Sequence, residues 1–190
     1  MRRHNLIEAV VVAGFAALSG GAAHAGGGGA NTDEFSARLN GFNVTGGLNA
    51  ETGAILTDGI GTLQLALDRK SKMATYTLTY SGLTSAVTQA HIHFGKVHVP
   101  GGIMVWLCQT AAKMSPVAGT PFCPTAGRSV SGTITAASVI AISGQNVTAG
   151  DFDAFTDALN SDTAYANVHT VNFPAGEIRG QVRKSENDRN

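Results

Sequence analysis

Charge is scarce in this chain. Lys and Arg number 13, Asp and Glu number 13, and together they make up 14% of its 190 residues. About a quarter is usual for a soluble domain. No basic stripe or cluster stands out, which argues against a nucleic-acid partner. No apolar run reaches the ~20 residues that a membrane-spanning helix needs. A Gly-x-Ser-x-Gly nucleophile elbow is missing, and no carboxylates are paired at a spacing for acid–base work. The residues therefore lean away from an enzyme. Cysteine is limited to Cys108 and Cys123, and their spacing is not CxxC. A thiolate metal site or reactive pair is thus the weaker reading, and a disulfide is the simpler one in an exported chain. It would close a loop of about fifteen residues, which chain entropy values at about 3 kcal/mol.

The chain opens with an address. Met1-Arg2-Arg3-His4 is a short basic start, Ala9 to Leu18 is apolar but broken by Gly14, and Ala23-His24-Ala25 is a small-x-small cleavage site. This is the layout of a secretory signal peptide over residues 1–25. An uncleaved membrane anchor is the alternative, and the short, glycine-broken run disfavours it. Cleavage near Ala25 would leave a slightly negative, exported protein, periplasmic or extracellular, with no transmembrane segment. Residues 26–33 then read as a flexible leader, 34–184 as one β domain and 185–190 as a polar tail.

Glycine (24 residues), abundant threonine and short alternating runs favour an all-β fold. Phe35-Ser-Ala-Arg-Leu39 alternates as a first strand. Gly61 to Leu67 and Ala74 to Tyr80 alternate around the polar turn Asp68–Lys72 and form a hairpin. Gly53 to Thr57 is loop or a short edge strand. Ile103 to Cys108 is apolar on both faces, which places it centrally, with Met104 and Trp106 in the core. Ser129 to Thr135 is another strand, and Val139 to Ile142 is ambiguous. Thr148 and Asp151 have capping-box spacing, with Thr148 as N-cap. Phe152, Phe155 and Leu159 behind them predict one short amphipathic helix. Strands Ala164–Thr170 and Glu177–Arg183 close the chain. Together these make a Greek-key antiparallel β-sandwich or flattened barrel, superoxide-dismutase-like or immunoglobulin-like, with one helix.

The chemistry concentrates in Ala90-His91-Ile92-His93-Phe94-Gly95. On a strand the two histidines share one face and the apolar residues bury the other. His169, on the Tyr165–Thr170 strand, is the natural third imidazole. Three such groups from adjacent strands suit copper or zinc. Asn167 or Glu177 could hydrogen-bond and orient a ligand imidazole, and Arg179 stands beside them. The rival reading is a structural polar cluster, with Glu177, Arg179 and Gln181 forming a cross-strand ion pair and hydrogen-bond ladder. His98, beside a turn, reads as exposed.

Ala90-His-Ile-His93-x-Gly95, the downstream Gly-Gly and Leu107-Cys108, the Thr148–Phe152 helix start and Tyr165-x-Asn-Val-His-Thr170 precede Pro174-x-Gly-Glu-Ile-Arg-Gly-Gln181. This series resembles the CHRD (chordin-type) domain family, from about Phe35 to Val182. The acidic-proline element that usually follows the first strand is absent between Asn43 and Gly53. The resemblance implies an exported β-sandwich domain and no settled activity. A narrower resemblance links His91-Ile-His93 to the copper-binding strand of copper/zinc superoxide dismutases. The full zinc-ligand set and the acidic electrostatic loop have no counterparts here, so dismutase activity is not implied. Two functions follow. One is a non-enzymatic binding or structural domain with a protein or matrix partner. The other is a copper- or zinc-binding protein using His91, His93 and His169.

Overall fold

A computed structural model describes residues 32–45, 53–124 and 129–185. The expected signal peptide, most of the leader and nearly all of the polar tail lie outside them. Among the described residues, nine strands form one antiparallel sheet. They are β1 (Thr32–Asn40), β2 (Ile60–Asp68), β3 (Met73–Ser81), β4 (Val87–Phe94), β5 (Gly102–Cys108), β6 (Val130–Ile134), β7 (Ala164–Thr170), β8 (Ile178–Gln181) and β9 (Arg183–Lys184). β1 begins at Thr32, inside the stretch expected to be leader.

The order across the sheet is β5-β4-β7-β8-β1-β2-β3-β6, with β9 against β1. The chain just past β6, at one end of the order, bridges through Val139 to Val105 of β5 at the other, so the sheet nearly closes into a flattened barrel. β7 returns beside β4 after the chain has crossed through β5 and β6, a Greek-key return.

The β2–β3 hairpin shows how alternation sets register. Leu63 faces Leu78, Leu65 faces Tyr76 and Leu67 faces Ala74, and all six are buried. A one-residue slip would turn every one of them to water. The outer face carries hydroxyl pairs instead, Thr62–Thr79 at 2.6 Å and Thr77–Ser131 at 2.9 Å.

Three local expectations change. Ile103–Cys108 is the end strand of the sheet order, not a central one. Its apolar outer neighbours are covered by irregular chain, since Val139 bridges Val105 and Ile140 N–H donates to the Met104 carbonyl. That contact also resolves the Val139–Ile142 stretch. Met104 is fully buried, whereas Trp106 is only half-buried. Residues 53–57 are loop, the first of the two readings, with Gly53 and Ala54 at positive φ; Ala54 and Ile55 donate to the Val44 and Gly41 carbonyls. Helix α1 (Phe152–Asn160) is capped by Asp151, whose carboxylate accepts from Ala154 N–H. Thr148 is displaced because Gly150, at φ 83°, turns the chain just before the helix. The core-facing stripe is the expected one, Phe152, Phe155 and Leu159, joined by Ala158.

Candidate metal centre

β4 and β7 lie side by side, with His91 opposite Asn167 and His93 opposite Tyr165. Ala90, Ile92, Ala166 and Val168 point into the barrel and join its core. Alternation therefore sends His91, His93, Tyr165, Asn167 and His169 to the outer face. That face is nonetheless buried: His91 is 0% exposed, His93 7% and His169 6%. The β4–β5 and β7–β8 connections reach over it and supply the carbonyls described below.

The three imidazoles meet. One ligating nitrogen from each lies within 4.8 Å of the others. His91 Nδ1 and His169 Nε2 are 3.2 Å apart. Two nitrogens bound to one ion by ~2.0 Å bonds at a tetrahedral angle stand about 3.3 Å apart. That pair already has the spacing of two ligands, and a pair at 4.8 Å would have to close by about 1.5 Å. Among the described residues, this cluster could hold a metal ion.

Two main-chain carbonyls decide which nitrogens are free. His93 Nδ1 is 3.0 Å from the Gly101 carbonyl, and His169 Nδ1 is 2.9 Å from the Pro174 carbonyl. A carbonyl only accepts, so each Nδ1 carries the proton and each Nε2 keeps a lone pair. His93 Nε2 is buried with no partner, and so is His91 Nε2. Burial, helped by the neighbouring His169 and His93, pushes His91 down to about 2. Burial pushes His93 down to about 4 against the opposing effect of the Gly101 bond. His169 is lowered by burial too. All three are therefore neutral at ordinary pH, the form that binds metals.

Aromatic rings set the walls. Tyr165 stacks flat on His93, with centroids 4.7 Å apart and 5° between planes. The Arg179 guanidinium lies 3.5 Å from the centroid of the same tyrosine ring. Trp106 meets His91 edge-on at 4.3 Å. Gly101 holds the other end, its N–H donating to Tyr165 Oη. A Cβ there would lie 1.7 Å from the Phe94 carbonyl oxygen, so only glycine fits.

The residues expected to orient the histidines act elsewhere. Glu177 is fully buried and accepts from Thr57 Oγ1, Thr84 N–H, Thr84 Oγ1 and Thr170 Oγ1. Arg179 donates to Thr45 Oγ1 and to the Lys96 and Val99 carbonyls. No Glu177–Arg179 ion pair forms; both side chains find partners on loops. Gln181 likewise donates to the Gly95 and Asp162 carbonyls. Asn167 donates weakly to the Ala175 carbonyl, and its Oδ1 is buried without a donor. His98 is exposed and outside the cluster. The orienting groups are thus main-chain atoms, which carry no residue-type signal. Tyr165 and Trp106 had a signal, since both alternate onto the histidine face.

Cys108 and Cys123 are joined in a disulfide across a separation of 15 residues. Inside that loop, Gln109 donates to the Thr120 carbonyl and accepts from Ser115 N–H.

The family model of the CHRD domain matches residues 35–182. No curated protein and no solved structure matches the chain.

Proposed function

The chain belongs to the CHRD domain family, and from that premise we propose an exported, non-enzymatic binding domain whose His91, His93 and His169 hold one copper or zinc ion. One observation carries the reading: inside a cluster of ligating nitrogens no more than 4.8 Å apart, His93 Nε2 and His91 Nε2 are both buried without a partner, the first as a free ligand lone pair and the second as the atom left over when His91 binds through Nδ1. A purely structural cluster would satisfy those atoms, because an unpartnered buried polar atom costs about 1–3 kcal/mol. The carbonyl bonds to His93 and His169 support it by aiming Nε2 away from the main chain. When His91 binds through Nδ1, its Nε2–H requires an acceptor. Asn167 Oδ1, on the residue directly across the ladder, is free to serve. The ion would join β4 to β7 and stiffen the face beneath the two loops. The disulfide and the basic-apolar-small leader support export.

The rival is a metal-free polar cluster in a matrix or protein-binding domain. The 3.2 Å contact between His91 and His169 favours it, since a neutral pair makes that contact as a hydrogen bond. Metal analysis separates the two. Protein loaded with copper or zinc and desalted is expected to retain one equivalent, and His91→Ala/His93→Ala none. Trp106, the one tryptophan, lies 4.3 Å from the His91 ring and should lose fluorescence as copper binds. No retention of either metal at micromolar loading defeats the metal reading.

A further inference from the structure

Which ion the cluster takes depends on charge, and this inference rests on the three-histidine reading above. The ligand set is neutral: no carboxylate or thiolate belongs to it among the described residues. The buried carboxylate of the adjoining turn, Glu177, is engaged by Thr57, Thr84 and Thr170. An ion seated among the histidines has no ligand charge to offset its own in a buried place. The cost of burying an ion rises with the square of its charge, so a dication loses roughly four times the hydration of a monocation of similar size.

A fixed positive charge acts in the same direction. Arg179 is 2% exposed and clamped by the Lys96 and Val99 carbonyls. Its guanidinium, Tyr165 and His93 form one stack, which places that charge within about 8 Å of the His93 ring. At such a distance and an effective dielectric near 20, each extra unit of ion charge is disfavoured by roughly ten- to thirtyfold. Monovalent copper carries the least charge among the metals that imidazole binds well. It also accepts three ligands without demanding a fourth. We propose that His91, His93 and His169 form a monovalent-copper site, with zinc and cupric ions disfavoured by the neutral ligands and by Arg179.

Anaerobic competition of the full chain against bicinchoninate reads cuprous affinity, and a chromophoric zinc chelator reads zinc affinity under the same buffer. The expected result is one cuprous ion per chain, held more tightly than zinc by at least the roughly ten- to thirtyfold that Arg179 contributes. Arg179→Met removes the charge and keeps an apolar stem over Tyr165. It should narrow the cuprous-to-zinc ratio by roughly ten- to thirtyfold. Arg179→Lys keeps the charge and should leave the ratio near the wild-type value. Zinc bound as tightly as cuprous copper by the wild type overturns the assignment, even if Arg179→Met fails to fold. An unchanged ratio in a folded Arg179→Met overturns the role of Arg179. Binding of neither ion defeats the three-histidine reading itself.

Discussion

Replacing Glu177 by alanine is expected to cost about 3 kcal/mol of stability, and the structure shows where that figure comes from. The carboxylate is fully buried and accepts four hydrogen bonds, from three threonines that lie far apart in the chain. It ties the loop before β2 and the β3–β4 connection to the end of β7. Hydrogen bonds to a charged group contribute about 1.5–3 kcal/mol each, but the four do not simply add. Thr57 and Thr84 lie near enough to the surface to regain water, whereas Thr170 is 1% exposed and cannot. Removing the carboxylate also relieves its own burial. One stranded hydroxyl, a small cavity and partial losses at the other three donors leave about 3 kcal/mol. In a domain of this size that is a fall in Tm of about 6–12 °C. Glu177→Gln keeps the shape and sets its amide nitrogen against hydroxyls that can also accept, so it should lose about half as much. Urea unfolding at neutral pH with the disulfide intact measures both. A Glu177→Ala loss below about 1 kcal/mol, or a Gln variant as damaged as the Ala variant, would refute the clamp.

Acid should weaken the metal-free protein. The folded pKa values of His91 and His93 sit well below the unfolded value near 6.5, so the unfolded chain binds more protons. Stability is then full above about pH 6.5 and falls by up to about 1.4 kcal/mol per histidine per pH unit on the way down. Urea midpoints at pH 7.5, 6.5 and 5.5 test this; a flat profile contradicts neutral burial, and His91→Phe should lessen the slope. Reducing the Cys108–Cys123 bridge, or Cys108→Ala/Cys123→Ala, should cost about 2–4 kcal/mol by chain entropy. Cuprous binding should survive, since neither cysteine belongs to the histidine cluster; loss of binding would show that the bridge positions β5 against the site. Gly101→Ala should abolish metal retention while leaving the β2–β3 hairpin intact, because the new methyl collides with the Phe94 carbonyl that ends β4. Metal analysis and hydrogen exchange on the same sample read both halves, and a metal-competent Gly101→Ala chain would refute the tight seat.

The strands were legible where side chains alternate against one wall. Leu63, Leu65 and Leu67 announced their register through a period of two, and His91 and His93 announced a shared face in the same way. Whether the His169 strand lies beside β4 was not legible, because strand order is set by long-range topology; the β4–β7 ladder is what brings the two histidine motifs together. The position of β5 was not legible. An apolar strand buried by irregular chain has the same pattern as one buried by two sheets. The helix cap was misplaced because Thr148 and Asp151 both fit a cap, and Gly150 between them decides. Glu177 and Arg179 looked like partners because opposite charges two residues apart share a strand face. Apart from Thr170 on the neighbouring strand, their side-chain hydrogen-bond partners Thr57, Thr84 and the carbonyls of Lys96 and Val99 lie 80 or more residues away.

His91 and His169 are 78 residues apart in the chain, and the Greek-key return must be complete before they meet. A chain threaded unfolded through a membrane would carry two imidazoles early and the third much later, with no shared pocket. Loading would then wait for folding on the far side. The metal content of the protein would record the conditions where it folded and would be blind to those where it was made.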